Sequence, residues 1–459
     1  MKRNLLLFAL ILTAITAVAQ DDGMFYYAYD DATQTATVTY RTKDGNKVGG
    51  SYYGDVVIPA KAPNGYDVTA IGENAFYNSN TMTSLTIPAT IDSIGRDPFN
   101  GCKAHLTKIV IEDTDRLLRT YAMHYWAGRE MVFGGQGIDL DVKEAYIGRP
   151  FRTAIDESES RRQSIFLGND SLRTVTFSDR YEDVPDGMFE DCDSLRSVHL
   201  SPNTKRIGKE AFYYCQSLSA ITLPDGVEVI DECAFQRCKT LEKINLPKSL
   251  RIIGGYAFNR CEQFTCFTIP GSVDSIGVSI LDDCTNLKRI DIAYSSKPLK
   301  YCCTSQFYNS LRSASIDTLY TDRYIDGAFS DNRTLKKLYV GPNVTALCDG
   351  LFSDCYYIEE IYSQNTVPPT CEGGSVFAYL NKENCRLHVP VGSLDAYKEA
   401  FVWKDFFNID EVAGISNIKT DASTVIGSYT LGGQRTTAGQ RGLIIHRMND
   451  GTTRKVISK

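Results

Sequence analysis

The residues best suited to chemistry in this chain of 459 residues are its 14 cysteines and 5 histidines. Thiolates and imidazoles bind metals at short, regular spacings, and they act as nucleophile and base where they converge. No two cysteines have the two-residue spacing of zinc ligands, and the histidines are scattered along the chain. The nucleophile motif G-x-S-x-G and the metal motif H-E-x-x-H are both missing from the sequence. We therefore predict no enzyme activity, no metal site and no cofactor.

Seven of the cysteines occupy one column of a repeated pattern, which favours a structural role. They are Cys102, Cys192, Cys215, Cys238, Cys261, Cys284 and Cys355. Cysteine behaves as a small buried hydrophobe, so a stack of reduced, buried thiols is the favoured interpretation. The alternative is a set of disulfides. Outside the column, Cys371 and Cys385 are the best candidates for a disulfide.

The pattern itself has a period of 23 residues and fixes the elements that carry these side chains. Phe189, Phe212, Phe235 and Phe258 are each 23 residues apart, and apolar residues recur with them in register. The unit reads I-G-x-x-A-F-x-x-C-x-x-L-x-x-I-x-L-P. Its I-x-L part alternates with period two and predicts a short strand, which the proline ends. The A-F-x-x-C part has the spacing of a helical turn. A degenerate unit, centred near Phe307, lies between Leu281 and Phe329.

One such unit cannot bury its own apolar face, so the pattern predicts a solenoid of stacked units. The segments IGENAFYNSNTMTSLTIP (residues 71–88) and IGKEAFYYCQSLSAITLP (residues 207–224) resemble the BspA-type leucine-rich repeats of Bacteroidetes surface proteins. The resemblance covers roughly residues 68–410. It implies a mainly β leucine-rich-repeat solenoid and an exported protein that binds other surfaces without catalysis.

The strand alternation also identifies the side chains that point away from the core. We take eight of them as candidate ligand-facing residues, because tyrosine and charged residues are frequent recognition groups. They are His199, Lys243, Arg289, Asp291, Lys337, Tyr339, Glu360 and Tyr362. The alternative for each is an ordinary solvated position on a sheet. The chain has 49 basic and 56 acidic residues, and this balance argues against a nucleic-acid partner.

The N-terminus has the features of a secretory signal peptide. Lys2 and Arg3 precede an apolar run, and Ala17-Val18-Ala19 forms a small-x-small cleavage site, so we predict cleavage after Ala19. No later stretch is apolar enough to span a membrane. Residues 20–67 do not repeat and are predicted to form an N-terminal β cap, with strands at 25–29, 36–40 and 55–59. Residues 68–362 form the repeats.

Three further segments depart from the period. Residues 112–160 are an irregular insertion, which is either a functional loop or a tolerated solvated one. Residues 363–412 close the array, with a strand at 386–390 and a helix at 394–401. Residues 413–459 hold seven basic and two acidic residues, net +5, and are predicted to form a small β module. Their YTLGGQR and RGLIIHRM segments resemble the C-terminal sorting modules of exported Bacteroidetes proteins; the alternative is a basic strand pair that caps the array.

These observations predict an exported cell-surface binding or adhesion protein, expected as a monomer, that recognises an extracellular protein or glycan. The alternative is a structural or assembly scaffold of the cell envelope.

Overall fold

The computed structural model describes residues 20–21, 25–43, 46–50, 52–102, 105–121, 132–133, 140–153, 165–301, 311, 314–415, 425–430, 442–448 and 453–458. The predicted signal peptide and Phe307 lie outside these ranges. The chain divides into two compact units, one running to Ile244 and including Ile252–Gln263, the other made of Asn245–Arg251 and the residues from Phe264 onwards.

The first unit is built from two stacks of short parallel strands. One sheet contains Tyr53–Val57, Thr81–Ile87, Lys108–Ile111, Glu144–Ile147, Thr174–Phe177 and Ser197–His199. The other stack begins with the antiparallel strands Gln20–Asp21, Tyr26–Asp30 and Thr35–Thr39 and continues in parallel through Asp67–Ile71, Ser93–Ile94, Leu118–Thr120 and Phe151–Thr153. Shorter parallel strands follow at Asp183–Val184, Arg206–Ile207, Val229–Ile230 and Ile252–Ile253, and at Ala220–Ile221 and Lys243–Ile244. A small hairpin joins Arg41–Lys43 to Asn46–Val48.

The second unit has one long parallel sheet. Its strands are Cys266–Ile269, Arg289–Ile292, Thr318–Thr321, Lys337–Val340, Glu360–Ser363, Arg386–Pro390 and Asn408–Val412, in that order. Two parallel pairs of two-residue strands lie elsewhere in the unit, Ser275–Ile276 with Lys300–Tyr301 and Ala346–Leu347 with Thr370–Cys371. Near the C-terminus, Val425–Thr430, Gly442–Met448 and Thr453–Ser458 form an antiparallel sheet. The mainly β repeat fold expected from the sequence is thereby confirmed.

The aromatic column of the first unit forms a continuous stack of buried rings from Phe76 to Phe258. The rings of Phe212 and Phe235 stack with centroids 5.3 Å apart, and those of Phe235 and Phe258 with centroids 5.5 Å apart. Upstream, Phe133 lies between Phe99 and Phe166 at 5.5 Å and 5.4 Å. Phe133 falls in the segment that was expected to interrupt the array. The described part of that segment instead supplies Phe133 to the ring stack and three strands to the sheets of the first unit.

The cysteine column forms hydrogen bonds from each rung to the rung before. The thiols of Cys192, Cys215 and Cys238 each donate to the carbonyl of the phenylalanine 26 residues earlier, with Sγ to O distances of 3.1 Å. Asn169 donates from Nδ2 to the carbonyl of Phe133, and Asn332 to that of Leu311, so the position selects a short hydrogen-bond donor. Burial raises the pKa of the Cys102 thiol to about 11 and that of Cys355 to about 12, which keeps these groups protonated as donors.

All seven column cysteines are buried and carry reduced thiols, as expected. Cys371 and Cys385 are also free and buried, so the disulfide considered for them does not form.

Two buried arginines form hydrogen bonds to backbone carbonyls of earlier rungs. Arg149 donates from Nη2 to the carbonyl of Pro88 at 3.0 Å, and Arg323 donates in the same way to Val273 at 2.7 Å. Each side chain reaches over one intervening strand of its sheet. Burial lowers the pKa of both guanidinium groups to about 10. The two guanidinium groups therefore provide hydrogen bonds to backbone carbonyls of buried residues in turns of the array.

The array ends in a short helical cap. Helix Leu394–Glu399 and the 3-10 turn Trp403–Asp405 place the fully buried Trp403 against Phe377, with ring centroids 5.4 Å apart. Trp403 Nε1 donates to the carbonyl of Pro369 at 2.8 Å. In the described ranges, no helix is long and apolar enough to cross a membrane.

Candidate binding surface

The outward positions of the parallel strands form a face that the core does not use, because successive side chains of a strand point to opposite sides. We call the outward side of the long sheet in the second unit the strand face. In strand Lys337–Val340, Leu338 and Val340 are buried while Lys337 is exposed and Tyr339 is half-buried. The strand before and the strand after follow the same alternation.

Two of the predicted residues belong to the first unit. His199 is exposed, and its Nε2 lies 3.2 Å from Oγ of Ser197 on the same strand. Lys243 is exposed on strand Lys243–Ile244. Neither residue has another predicted residue of its own unit beside it, so the structure does not gather them into a site.

Asp291 was predicted to face a ligand, and the structure contradicts this. Its side chain is only 6% exposed, and its Oδ1 accepts a hydrogen bond of 2.8 Å from Nε of Arg289. Burial raises the pKa of Asp291, and Arg289 partly offsets that effect. Arg289, itself half-buried, is tied to Asp291, so both charges are largely neutralised within the chain.

Lys337 and Glu360 form the second ion pair of the strand face. Their Nζ and Oε2 atoms are 2.7 Å apart, on neighbouring strands in which the two residues are direct partners. The hydrogen bond to Lys337 lowers the pKa of Glu360, and the same contact raises the pKa of Lys337. Both groups therefore stay charged and paired at neutral pH.

Beside this ion pair, three rings stack across three consecutive strands. Tyr339 and Tyr362 have ring centroids 4.6 Å apart and an interplanar angle of 7°. Tyr362 and His388 follow at 4.4 Å and 19°. We call Tyr339, Tyr362 and His388 the ring ladder. All three residues are half-buried, and stacking restrains the rotation of their rings.

Tyr320 occupies the next position of the same column, as the strand partner of Tyr339. Within the described chain no ring contact joins Tyr320 to Tyr339, so one face of Tyr339 has no ring against it. A Cβ on Gly341 would lie 2.8 Å from the Tyr320 hydroxyl, which shows that this phenol leans over Gly341. Burial, with Asp322 and Asp291 nearby, raises the pKa of Tyr320 to about 12.

Sequence reasoning missed Tyr320 and His388. The degenerate unit hid the register of Tyr320, and His388 was treated as one of several scattered histidines. The signal was nonetheless available in the aligned segments TLYT, KLYV, EIYS and RLHV, which place an aromatic or imidazole ring at the same outward position.

Among the described residues, no group of three or more His, Cys, Asp or Glu side chains could hold a metal ion. The exposed thiol of Cys266 lies on the same face, on the strand next to Arg289.

Comparison with protein families identifies the array. Six copies of the model described as "BspA type Leucine rich repeat region" match residues 60–129, 159–288, 205–325 and 251–382, which together are well over half of the chain. The chain belongs to the BspA type leucine-rich repeat family.

Solved structures similar to this BspA type chain are bacterial repeat proteins. A leucine rich cell surface protein from Faecalibacterium prausnitzii A2-165 is 20% identical, with 84% of this chain and 97% of that chain covered and a TM-score of 0.35. A leucine-rich repeat protein from Bacteroides ovatus ATCC 8483 is 19% identical, with 85% and 98% covered and a TM-score of 0.39. No curated protein sequence matches the chain.

The in-register pairing of the BspA type strands explains why the rings stack. Neighbouring parallel strands lie about 4.7–4.9 Å apart, and Tyr339, Tyr362 and His388 are direct partners in successive pairs, so the same outward position recurs at that interval. The observed ring spacings of 4.6 Å and 4.4 Å are close to this value. A ladder of flat rings is thus the side-chain arrangement that a regular array produces when one outward column is aromatic.

Proposed function

We propose that this protein is an exported cell-surface binding protein that recognises a macromolecular partner through the strand face of its second unit and performs no catalysis. The observation that carries the proposal is the ring ladder of Tyr339, Tyr362 and His388 beside the Lys337–Glu360 pair. The family assignment supports it, because a BspA type array is a repeat scaffold with a large repeated outer surface.

The ladder suits recognition because its side chains are already ordered. Tyrosine offers a large, rigid and amphipathic contact with few rotatable bonds, so little entropy is lost on binding. Stacking between Tyr339 and Tyr362 reduces that loss further, since the rings hold each other in place. The paired charges of Lys337 and Glu360 fix the polar edge of the same patch.

Export and surface location are part of the proposal. The signal peptide of residues 1–19, cleaved after Ala19, would send the chain through the periplasm, and the basic residues 413–459 would direct or retain it at the surface. On this division, residues 20–67 cap the repeats of residues 68–362, residues 363–412 close them, and the insertion of residues 112–160 is a second possible contact region.

The test compares the full chain with variants of the ladder in binding to immobilised matrix proteins and to a glycan array. The double variant Tyr339→Ser, Tyr362→Ser should lose at least ten-fold in affinity for whichever partner the unaltered chain binds. The matched control is Tyr356→Ser, Tyr357→Ser, two exposed tyrosines outside the strand face, which should bind normally.

Equal loss in both double variants would reject the strand face as the binding surface. The scaffold alternative predicts a different result, in which the chain binds envelope proteins of its own cell and ignores matrix proteins and glycans.

A further inference from the structure

We infer that the ring ladder binds a proline-rich segment in the polyproline II conformation, lying across the strands and along the ladder. This inference rests on the proposed function, since it names the partner class for the same surface.

The first argument is spacing. Ring centroid distances of 4.6 Å and 4.4 Å place Tyr339 and His388 about 9 Å apart along the ladder. A polyproline II helix rises about 3.1 Å per residue with three residues per turn, so residues i and i+3 lie on one side at about 9.3 Å. One turn of that helix therefore spans the two outer rings of the ladder, and an extended β-strand partner has no equivalent match.

The second argument is hydrogen bonding. Polyproline II backbone has no internal hydrogen bonds, so its carbonyls are free acceptors. The ladder supplies donors at its two ends. One end carries the phenol hydroxyl of the half-buried Tyr339, and at the other end both ring nitrogens of His388 are buried without a hydrogen-bond partner among the described residues. If the His388 ring turns outward on binding, a ligand carbonyl that accepts from it would satisfy a group that is left unpaired in the unbound chain.

The hydroxyl of the middle ring, Tyr362, is not available as a donor in the same way. The Glu360 carboxylate is paired with Lys337 at 2.7 Å, and its contacts with Lys337 and Tyr362 lower its pKa. The donors of the ladder are therefore spaced two strands apart, which is the spacing of one polyproline II turn.

The third argument is charge and shape. The strand face neutralises its own charges through Lys337–Glu360 and Arg289–Asp291, so a charged ligand gains little from it. The ring of Tyr339 has one face without a stacking ring, against which a prolyl ring can pack. Proline-rich segments dock on aromatic-lined surfaces of this kind because their backbone is already ordered.

The experiment is a titration of the full chain with a blocked ten-residue oligoproline, followed by calorimetry. A blocked Gly/Ser peptide of the same length is the control ligand. We expect saturable binding of the oligoproline only. Tyr339→Phe keeps the stack and removes one donor, so it should weaken binding by about three- to ten-fold. His388→Phe should have a similar effect, and Tyr357→Phe, outside the strand face, should have none.

Three results would overturn the inference. They are no oligoproline binding by the unaltered chain, equal binding of the Gly/Ser peptide, and oligoproline binding that Tyr339→Phe and His388→Phe leave unchanged. If a matrix protein or glycan still binds and the ladder double variant abolishes that binding, the proposed function survives while the polyproline II assignment fails.

Discussion

Cys238 and its equivalents show how one residue type meets two requirements at a crowded position. The thiol is small enough to be fully buried between stacked rungs, and it still donates to the carbonyl of Phe212. Burial raises its pKa well above the ordinary range, because a thiolate has no solvation there. The group is therefore inert as a nucleophile and useful as a donor.

The rate of thiol alkylation should distinguish the buried column cysteines from the exposed Cys266 of the strand face. We expect Cys266, which is exposed, to be alkylated rapidly in the native protein at pH 8, while Cys215, Cys238 and Cys261 react only after denaturation. Peptide mapping by mass spectrometry measures each site, and Cys266→Ser identifies the fast-reacting peptide. Rapid native labelling of Cys238, or a disulfide between neighbouring column cysteines, would contradict the burial described here.

Backbone strain at single residues offers a second test. Tyr256 has φ of 56°, in the left-handed region, whereas the equivalent residues Gly187, Gly327 and Gly350 are glycines. A non-glycine residue there is unfavourable by about 1–2 kcal/mol, and asparagine tolerates the conformation best among residues with a side chain. Tyr256→Asn should raise the free energy of unfolding by about 0.5–1 kcal/mol.

The control for that variant is Tyr213→Asn. Tyr213 lies in the A-F-x-x-C turn of another unit, directly after Phe212. It does not have a positive φ, so asparagine relieves no backbone strain there. Urea denaturation of both variants decides the matter, and an equal effect of the two substitutions would argue against strain as the cause.

At the scale of the element, the rung is held by its stacked phenylalanine. Phe212 is fully buried between Phe189 and Phe235, at 5.5 Å and 5.3 Å. Phe212→Ala should lower the free energy of unfolding by about 3–5 kcal/mol, because it leaves a cavity between two rungs. Thr222→Ala, at an exposed position ten residues later, should change it by less than about 0.5 kcal/mol. Thermal unfolding measures both, and equal shifts in Tm would disprove the register.

Prediction of elements succeeded where the residues themselves carry a local pattern. Residues 386–390 were predicted as a strand and form strand Arg386–Pro390, and the helix predicted at 394–401 is observed at Leu394–Glu399. These segments carry a local signal, since alternation or helical spacing appears in the residues themselves. The strands predicted at 25–29 and 36–40 are each displaced by one residue, to Tyr26–Asp30 and Thr35–Thr39.

Prediction failed where a contact depends on distant parts of the chain. Phe133 has no neighbour at 23 residues, yet it completes the ring stack between Phe99 and Phe166. Asp291 alternates correctly for an outward residue, but Arg289 and the surrounding side chains bury it. The ring ladder was partly visible as Tyr339 and Tyr362; its extension to His388 required the pairing of strand Glu360–Ser363 with strand Arg386–Pro390.

At the scale of the whole molecule, charge is unevenly distributed along the chain. Residues 20–412 hold 40 basic and 54 acidic residues, net -14, whereas residues 413–459 have net +5. The three antiparallel strands Val425–Thr430, Gly442–Met448 and Thr453–Ser458 pair only with one another in the described sheets. The opposite charge of these strands motivates the prediction that they act in sorting or attachment, a role that the array does not share.

Truncation tests that role, and the structure sets where the cut belongs. A chain ending at Glu411 would lose part of strand Asn408–Val412 and the fully buried Ile415, so the cut should follow Ile415. Because the array and its cap remain intact, this shortened chain should unfold at the same Tm as the full chain and keep its ligand. Without the basic strands it should stay in the periplasm or be released into the medium. Protease accessibility on intact cells measures the surface fraction, with the full chain as reference. Normal surface amounts of the shortened chain would rule out sorting by the tail, and its basic strands would then serve only to cap the array or to bind an anionic partner.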